Sequence, residues 1–368
     1  MITVQEICRV LEAWAPPVLQ EEYDNSRLLT GNRKQEVTGI LVTLDVTEAV
    51  IEEAIARKCN LVISHHPVIF GGLKKLTGDN YVERTVLLAI KNDIALFAIH
   101  TNLDNVRGGV NQAIAAKLQL QETRVLRPIK GLLKKLVTFA PEAHAAEVRF
   151  ALFAAGAGDI GAYDHCSFNT AGEGTFRAGE SASPFVGIKG EDHLEAEVRI
   201  EVIFEQWKEA AILNSMREAH PYEEVAYDIY PLDNALQETG AGLVGELAEP
   251  MDVNSFLQYL KDQMQTPVIR YAGSTHRSIK KVAVCGGAGG FLLSDAIKAA
   301  ADCFVTADLK YHQFFDAEDV IILADMGHFE SEQFTSDLII GFLNQKFANF
   351  APSFPIVKGM DTNPVKYF

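Results

Sequence analysis

The chain has 368 residues, of which 48% are hydrophobic and 22% are charged, and its formal net charge is −16 at pH 7. This composition is typical of a globular protein with enough apolar material for two domains or one large one. The negative charge argues against a broad nucleic-acid-binding surface, which requires a cationic footprint.

The cysteines and the first residues indicate the compartment. The five cysteines are scattered and form no CxxC pair, which argues against a disulfide framework and a thiolate zinc site. The chain begins without the basic region and long apolar core of a signal peptide, and no apolar stretch reaches ~18 residues. We therefore expect a cytoplasmic protein that does not span a membrane.

The first third of the chain alternates strands and helices. Apolar residues at helical spacing predict a helix over residues 3–14, which Pro16 and Pro17 end. The pattern then predicts strand 38–44, a helix over 48–57 capped by Thr47, strand 61–64, helix 81–92, strand 94–99 and helix 110–119. This alternation favours an α/β fold with mainly parallel sheets and right-handed crossovers.

The pattern changes near residue 128. The predicted elements are a strand at 136–139, a helix from Pro141 to about Ala155 followed by Gly156, two short strands around 166–169 and 174–177, a strand over 194–204 with one polar face, a helix from Gln206 to Ala219 and a strand from Val225 to Tyr230. The order βαββαβ is typical of a ferredoxin-like α+β domain.

After residue 237 the alternation of strands and helices resumes. The predicted elements are helix 253–264, strands near 267–270 and 280–285, helix 291–301, strand 303–306, a short helix after Lys310, strand 320–324, helix 328–345 and a strand near 354–357. The simplest account is one discontinuous α/β domain, residues 1–127 and 238–368, interrupted by an inserted ferredoxin-like domain, residues 128–237.

Side chains that can bind metals follow three of the predicted strands at the point where each strand ends. They are His65 and His66 after strand 61–64, Asp104 after strand 94–99, and His328 and Glu332 after strand 320–324. Ligand sites in parallel α/β sheets form beyond the carboxyl ends of the strands, so we expect these side chains to converge. Imidazoles and carboxylates suit one or two divalent transition ions.

Each of these signals has an ordinary structural explanation when it is taken alone. A histidine pair in a loop is often polar surface, and an aspartate after a strand often caps a turn or a helix. The i, i+4 pair His328 and Glu332 is typical of a solvent-facing helix as well. Glu330 lies about 160° from their common face of the helix, so we leave it out of the ligand set. The coincidence at three strand ends favours the metal site.

Three further features leave alternatives open. His100 is an acid/base near the metals, a hydrogen-bonding support for a ligand, or a structural histidine. The glycine-rich segment 286–290 either holds a phosphate at a helix amino end or permits close packing of strand and helix. Lys310 and His312 are either anion contacts or the solvated start of a helix.

Five segments resemble the GTP cyclohydrolase I type 2 family, also called NIF-three-like proteins. They are Tyr23–Ser26, Ser64–Pro67, His100–Asp104, Thr306–His312 and Gly327–Glu332, in the family's order over nearly the whole chain. Residues 161–168 and 220–224 are similar to small trimeric nitrogen-regulatory signalling proteins, which resemble the extra domain of the family's longer bacterial members. Arg27 and Ala307 stand where the family commonly has glycine.

The resemblance implies a dinuclear metal site in which His66 and Asp104 hold one ion, His65 and His328 hold the other, and Glu332 bridges them. It also implies a toroidal homohexamer and hydrolytic opening of the imidazole ring of GTP. The residues themselves do not select guanine, and a phosphoester hydrolase would use the same activated water. Zinc, iron, manganese and cobalt all suit the donors. The alternative is a non-enzymatic metal-binding assembly whose insert binds a small ligand or a partner.

Overall fold

The computed structural model of the protein describes residues 2–348 and 354–368. The chain forms two units, one made of Met1–Pro128 and Glu238–Phe368 and the other of Ile129–Gln237. Among the described residues, we find no helix whose length and apolar character would let it cross a lipid bilayer.

The elements follow in chain order. Up to residue 130 they are α1 (Val4–Trp14), β1 (Arg27–Thr30), β2 (Ile40–Thr43), α2 (Glu48–Ala56), β3 (Leu61–Ser64), α3 (Tyr81–Lys91), β4 (Ala95–Ala98), α4 (Thr101–Asn105), α5 (Val110–Lys117) and β5 (Gln121–Lys130). Next come β6 (Leu133–Pro141), α6 (Ala145–Ala154), β7 (Phe168–Arg177), β8 (Asp192–Glu205), α7 (Glu209–Ala219) and β9 (Tyr227–Leu232). The rest are β10 (Ala235–Asp252), α8 (Val253–Met264), β11 (Arg270–Ala272), β12 (Ser278–Val284), α9 (Leu293–Lys298), β13 (Cys303–Thr306), β14 (Ile322–Asp325), α10 (His328–Glu332), α11 (Thr335–Phe347) and β15 (Ile356–Lys358).

Two sheets organise the first unit. The described strands of one sheet have the order β1-β4-β3-β2-β15, in which β15, β2, β3 and β4 run parallel and β1 is antiparallel at the edge. The other has the order β11-β14-β13-β12-β10-β5, with β12, β13 and β14 parallel and β10 and β11 antiparallel. The short parallel strands β2, β3, β4, β13 and β14 are buried along their whole length, which is expected where helices cover both faces.

The two sheets share one apolar core. Val42 of β2 and Val284 of β12 belong to a single cluster that also contains residues of α1, α5, α8 and α11. Their neighbours Leu41 and Ala283 belong to two other clusters, because successive side chains of a strand point to opposite faces. The helices of the shared cluster therefore lie between the sheets, and the carboxyl ends of strands from both sheets can reach one site.

The second unit has the element order βαββαβ. Its four described strands form an antiparallel sheet in the order β7-β8-β6-β9. The apolar residues of β8, such as Ile200 and Val202, pack with Leu152 of α6 and Ile212 of α7. The alternation of apolar and charged residues along β8 therefore separates a face covered by helices from a face without them.

Several predicted boundaries were wrong. The two short strands around 166–169 and 174–177 are the single strand β7, because Gly172 and Gly174 are paired with β8 in an unbroken ladder. Pro141 ends β6, and the helix begins at Ala145. The helix expected over 328–345 is divided into α10 and α11, and the side-chain amide of Gln333 donates to the Glu330 carbonyl at 3.2 Å where α10 ends.

Arg27 has a backbone conformation that favours glycine. Its φ is +95°, in the region that L-residues other than glycine rarely adopt. Its guanidinium Nε lies 3.5 Å from Glu12 Oε1, and its side chain is 55% exposed, so this ion pair contributes little stability. Backbone strain of this kind costs about 1–3 kcal/mol.

We expect Arg27→Gly to increase the free energy of unfolding by about 1 kcal/mol, since the relieved strain exceeds the entropy that glycine adds to the unfolded chain. Urea denaturation measures this as a higher midpoint at an unchanged slope. The matched control, Arg27→Ala, removes the same ion pair but keeps a Cβ atom and should give no gain. Equal destabilisation by both substitutions would contradict the argument.

Candidate metal centre

The structure brings all five predicted metal ligands together. His65 and His66 follow β3, Asp104 lies in the short helix α4 after β4, and His328 and Glu332 are the first and last residues of α10, after β14. Residues from both sheets of the first unit therefore meet at one site, as the strand-end pattern predicts.

Glu332 lies between the histidines. Its Oε2 atom is 3.0 Å from His66 Nε2 and 3.1 Å from His328 Nε2, and its Oε1 atom is 3.8 Å from His65 Nε2. Asp104 Oδ1 is 3.6 Å from His65 Nε2. One oxygen atom of Glu332 therefore faces His66 and His328, and the other faces His65.

Among the described residues, interatomic distances define three groups of metal-capable atoms, and within each group the donor atoms lie within 4.8 Å of one another. Two of the groups share Glu332: one is His66, His328 and Glu332, and the other is His65, Asp104 and Glu332. The third group is His65, His66 and His100. The pairing that the resemblance implies instead places His66 with Asp104 and His65 with His328. Both arrangements use the same five side chains and share Glu332.

Hydrogen bonds on the far side of each ring orient the three imidazoles. In each case Nδ1 donates to an oxygen atom, which leaves Nε2 facing Glu332, an arrangement typical of metal-binding histidines. The acceptors are the Ile99 carbonyl for His65 at 2.9 Å, Asp45 Oδ1 for His66 at 2.9 Å and Asp308 Oδ2 for His328 at 2.7 Å.

Sequence reasoning missed the two carboxylates among these acceptors. Asp45 follows β2 by two residues, so the strand-end rule that found the ligands applies to it as well. Asp308 follows β13 and lies in a segment singled out for Lys310 and His312 instead. The buried Asp325 side chain fixes this region, because it accepts the Gly327 N–H at 3.0 Å and the Leu309 N–H at 2.9 Å.

The donor set fits a metal ion. His65 Nε2 and Asp104 Oδ1 are buried and have no hydrogen-bond partner among the described residues. A buried polar atom without a partner costs free energy, and a cation between these two atoms would satisfy both. At Gly287 an added Cβ atom would lie 2.5 Å from Glu332 Oε1, so the backbone approaches the carboxylate closely.

Protons compensate the carboxylates when no cation is present. Burial favours neutral histidine, but the Glu332 carboxylate and the Asp45 and Asp308 partners raise the pKa of His66 to about 9 and that of His328 to about 11. Burial and the facing Glu332 raise the pKa of Asp104 to about 7. Burial would also raise the pKa of Glu332, but His328 and the other imidazoles hold that pKa well below its usual range.

His100 lies beside the ligand set. Its ring centroid is 5.2 Å from that of His65 and 5.3 Å from that of His66, and its Nδ1 is 2.8 Å from Asp24 Oδ1. Burial alone would raise the pKa of Asp24, but hydrogen bonds from His100 and Thr101 lower it far below its usual range. The motif that contains Asp24 therefore holds the ring of His100 in place.

The glycine-rich segment 286–290 packs against the site. The N–H groups of Gly286, Gly287 and Gly289 donate to the side-chain oxygens of Asn111, Ser331 and Thr306, at 3.0, 2.9 and 2.9 Å. These amides are already satisfied within the protein, which favours the packing explanation over a phosphate loop. Lys310 and His312 are exposed.

The cluster opens into a cavity of about 690 Å³ in the first unit. Its rim contains four large aromatic side chains that are 45–68% exposed, and the guanidinium of Arg270 lies on the same wall. The aromatic residues are Tyr23, Phe70, Phe291 and Tyr367. The cavity can therefore hold a ligand larger than a single anion.

Comparison with known proteins identifies the family. The model of the Duf34/NIF3 (NGG1p interacting factor 3) family matches residues 2–364. A Bacillus subtilis protein named "GTP cyclohydrolase 1 type 2 homolog" is 41% identical over 327 residues, which are 88% of each chain. A Staphylococcus epidermidis protein of the same name is 33% identical over 366 residues and 99% of each chain.

Solved structures support the same family assignment. The structure of a Bacillus cereus protein related to NIF3 has a TM-score of 0.89 and 38% identity, covering 100% of this chain and 99% of that one. A Staphylococcus aureus protein gives a TM-score of 0.77 and 27% identity over the same shares of the two chains. The chain belongs to the Duf34/NIF3 family, which confirms the resemblance found in the motifs.

We expect divalent-metal affinity to rise with pH. The pKa values of His66 and His328 are raised, so both rings carry protons at pH 7 that a metal ion must displace. Each displaced proton makes the affinity change about tenfold per pH unit below its pKa. Calorimetric titration of metal-free protein with Mn²⁺ at pH 6, 7 and 8 measures the affinity. Repeating it in buffers of different ionisation enthalpy measures the number of protons released. Affinity that stays constant, without proton release, would contradict this electrostatic description.

Proposed function

We propose that this member of the Duf34/NIF3 family is a metal-dependent hydrolase with a dinuclear site formed by His65, His66, Asp104, His328 and Glu332. The observation that carries the proposal is the position of Glu332, whose two oxygens face two separate groups of donors. Two divalent ions, such as zinc, iron or manganese, would supply an activated water and a binding point for a substrate oxygen.

The protein's own residues orient the donors and exclude solvent. His65 is fully buried and Glu332 is 3% exposed, so their donor atoms are shielded from water. The Ile99 carbonyl, Asp45 and Asp308 hold the three rings with Nε2 inward. This fixed geometry reduces the reorganisation that the reaction requires.

His100 moves a proton in this proposal. Its Nδ1–H donates to Asp24, so Nε2 is the ring nitrogen that exchanges a proton with a reactant in the cavity. Asp24 acts as a positioning residue, because its second oxygen also accepts the Thr101 N–H at 3.0 Å and the Ser26 hydroxyl at 3.0 Å. The aspartate therefore cannot turn away from the ring without losing other hydrogen bonds.

The proposed substrate is a small molecule, and a nucleotide is the leading candidate. The relatives named "GTP cyclohydrolase 1 type 2 homolog" support ring hydrolysis of GTP. Hydrolysis of a phosphoester uses the same activated water and needs no other residues. Turnover of GTP and of an aryl phosphodiester by the same metal-loaded protein separates the two reactions.

The second unit supports an additional regulatory role. Its strand order β7-β8-β6-β9 and its βαββαβ sequence fit an inserted ferredoxin-like domain. It contains a cavity of about 1000 Å³, lined by Phe176, Phe185, Tyr222 and Glu197 among others. The alternative to hydrolysis is a cytoplasmic, homohexameric metal-binding assembly whose insert binds a small ligand or docks a partner. Ligand binding without turnover would favour this alternative.

We expect His66→Ala and Glu332→Ala to reduce hydrolysis to the rate of metal-free protein. Each change removes donor atoms, and Glu332→Ala removes one from both groups. Metal analysis should find two ions per wild-type chain and fewer in both variants, while circular dichroism checks the fold. His276→Ala, at an exposed histidine, is the matched control. Full turnover by either variant after removal of metal would refute the hydrolase proposal.

We expect His100→Ala to lower kcat by about 10²–10⁴-fold without loss of bound metal. Asp24→Asn should lower kcat more than it changes KM, because the ring of His100 loses the carboxylate that orients it. Measuring metal content together with kcat separates a role of His100 in proton transfer from a role in metal binding. Loss of metal from His100→Ala would make His100 a ligand, which its closeness to His65 and His66 permits.

A further inference from the structure

We propose that segment 361–368 forms a wall of the metal cavity that contacts the non-reacting part of a bound ligand, and that Glu330 and Asn363 hold the segment in place. The inference concerns the same site as the proposed function and depends on its metal, but it does not depend on hydrolysis.

Asp361 anchors the start of the segment. Its Oδ1 atom accepts the Thr43 hydroxyl at 2.8 Å and the Leu44 N–H at 2.6 Å, at the carboxyl end of β2. Its Oδ2 atom accepts the Ser336 hydroxyl at 2.8 Å, in the first turn of α11. These bonds fix the chain at the edge of the sheet where the metal ligands lie.

Glu330 holds the next part of the segment. Its side chain points away from the face of α10 that carries His328 and Glu332, and its Oε1 atom accepts the side-chain amide of Asn363 at 2.9 Å. Glu330 is only 3% exposed, so this carboxylate depends on partners within the protein. The residue excluded from the ligand set by its position on the helix thus has a structural task one turn from the metals.

Gly327 makes room for this contact. Its φ is +91°, and an added Cβ atom would lie 2.2 Å from Glu330 Oε2 and 3.1 Å from the Tyr367 hydroxyl. Any larger residue at 327 would push both side chains away. Because Gly327 directly precedes His328, the Tyr367 hydroxyl lies close to the backbone of a metal ligand.

The rest of the segment faces the cavity. Asn363, Pro364, Val365 and Tyr367 line the cavity that His66 and His328 also line. Val365 is 56% exposed and Tyr367 is 45% exposed, so apolar surface is available to a ligand beside the donors. A small anion bound at the donors need not touch this wall, whereas a ligand with an aryl or other apolar group can.

Two variants test the wall without changing a metal ligand. Tyr367→Ala removes the ring that faces the cavity, and Asn363→Ala removes the amide that binds Glu330. The matched control is Phe368→Ala, whose side chain is fully exposed and does not line the described cavity. The first measurement is the rate at which EDTA removes Mn²⁺ from loaded protein, since this rate reports access to the site and needs no substrate.

We expect Tyr367→Ala to speed metal removal at least ~5-fold at unchanged saturating metal content, and Phe368→Ala to match the wild type. In the second measurement, the dissociation constant of bis(p-nitrophenyl) phosphate should rise several-fold in Tyr367→Ala, while that of inorganic phosphate stays constant. Asn363→Ala should raise both the rate of metal removal and the dissociation constant of bis(p-nitrophenyl) phosphate, by smaller factors than Tyr367→Ala.

An unchanged rate of metal removal in Tyr367→Ala, together with unchanged binding of the aryl phosphodiester, would refute the proposal that segment 361–368 is a wall of the cavity. A failure of the hydrolase proposal gives a different result. If wild-type protein binds metal but turns over no substrate, the hydrolase proposal fails and the removal rate still decides whether segment 361–368 covers the site.

Discussion

The structure depends on compensating the charge of a carboxylate that it buries between two sheets. Glu332 is 3% exposed, and removing such a group from water costs several kcal/mol unless positive charge surrounds it. Asp104 faces Glu332, so two buried acids lie close together, and only cations or protons can compensate their negative charge. The shared helical layer between the sheets brings the two histidines that follow β3 and the histidine of α10 to these acids.

The residues around the donors explain how the site stays in place. Asp45, Asp308 and the Ile99 carbonyl set the direction of each ring, and Asp325 holds the two backbone segments that carry Asp308 and His328. None of these groups needs to touch a metal ion. A change at one of them would alter the angle of a ligand rather than remove it, which distinguishes orientation from donation.

The sequence predicts the parts of the fold that rest on local chemistry. Strands 61–64 and 303–306 and helix 253–264 have the predicted limits, because continuous apolar runs and clear caps define them. β10 was missed because Gly240, Gly242 and Gly245 interrupt its apolar pattern, and pairing with β12 overrides that signal. The convergence of the five candidate donors could be predicted from strand ends, but their grouping depends on distances between two sheets, which no local pattern contains.

The shared position of Glu332 has a consequence for the order in which the site fills. In the proposed dinuclear site one carboxylate would serve both donor groups, so the first ion would take part of its negative charge and fix its rotamer before the second ion binds. The two occupancies would then be linked, and each ion would alter the affinity of the other by an equal factor. Such a site would respond to the supply of metal as a coupled pair rather than as two independent sites.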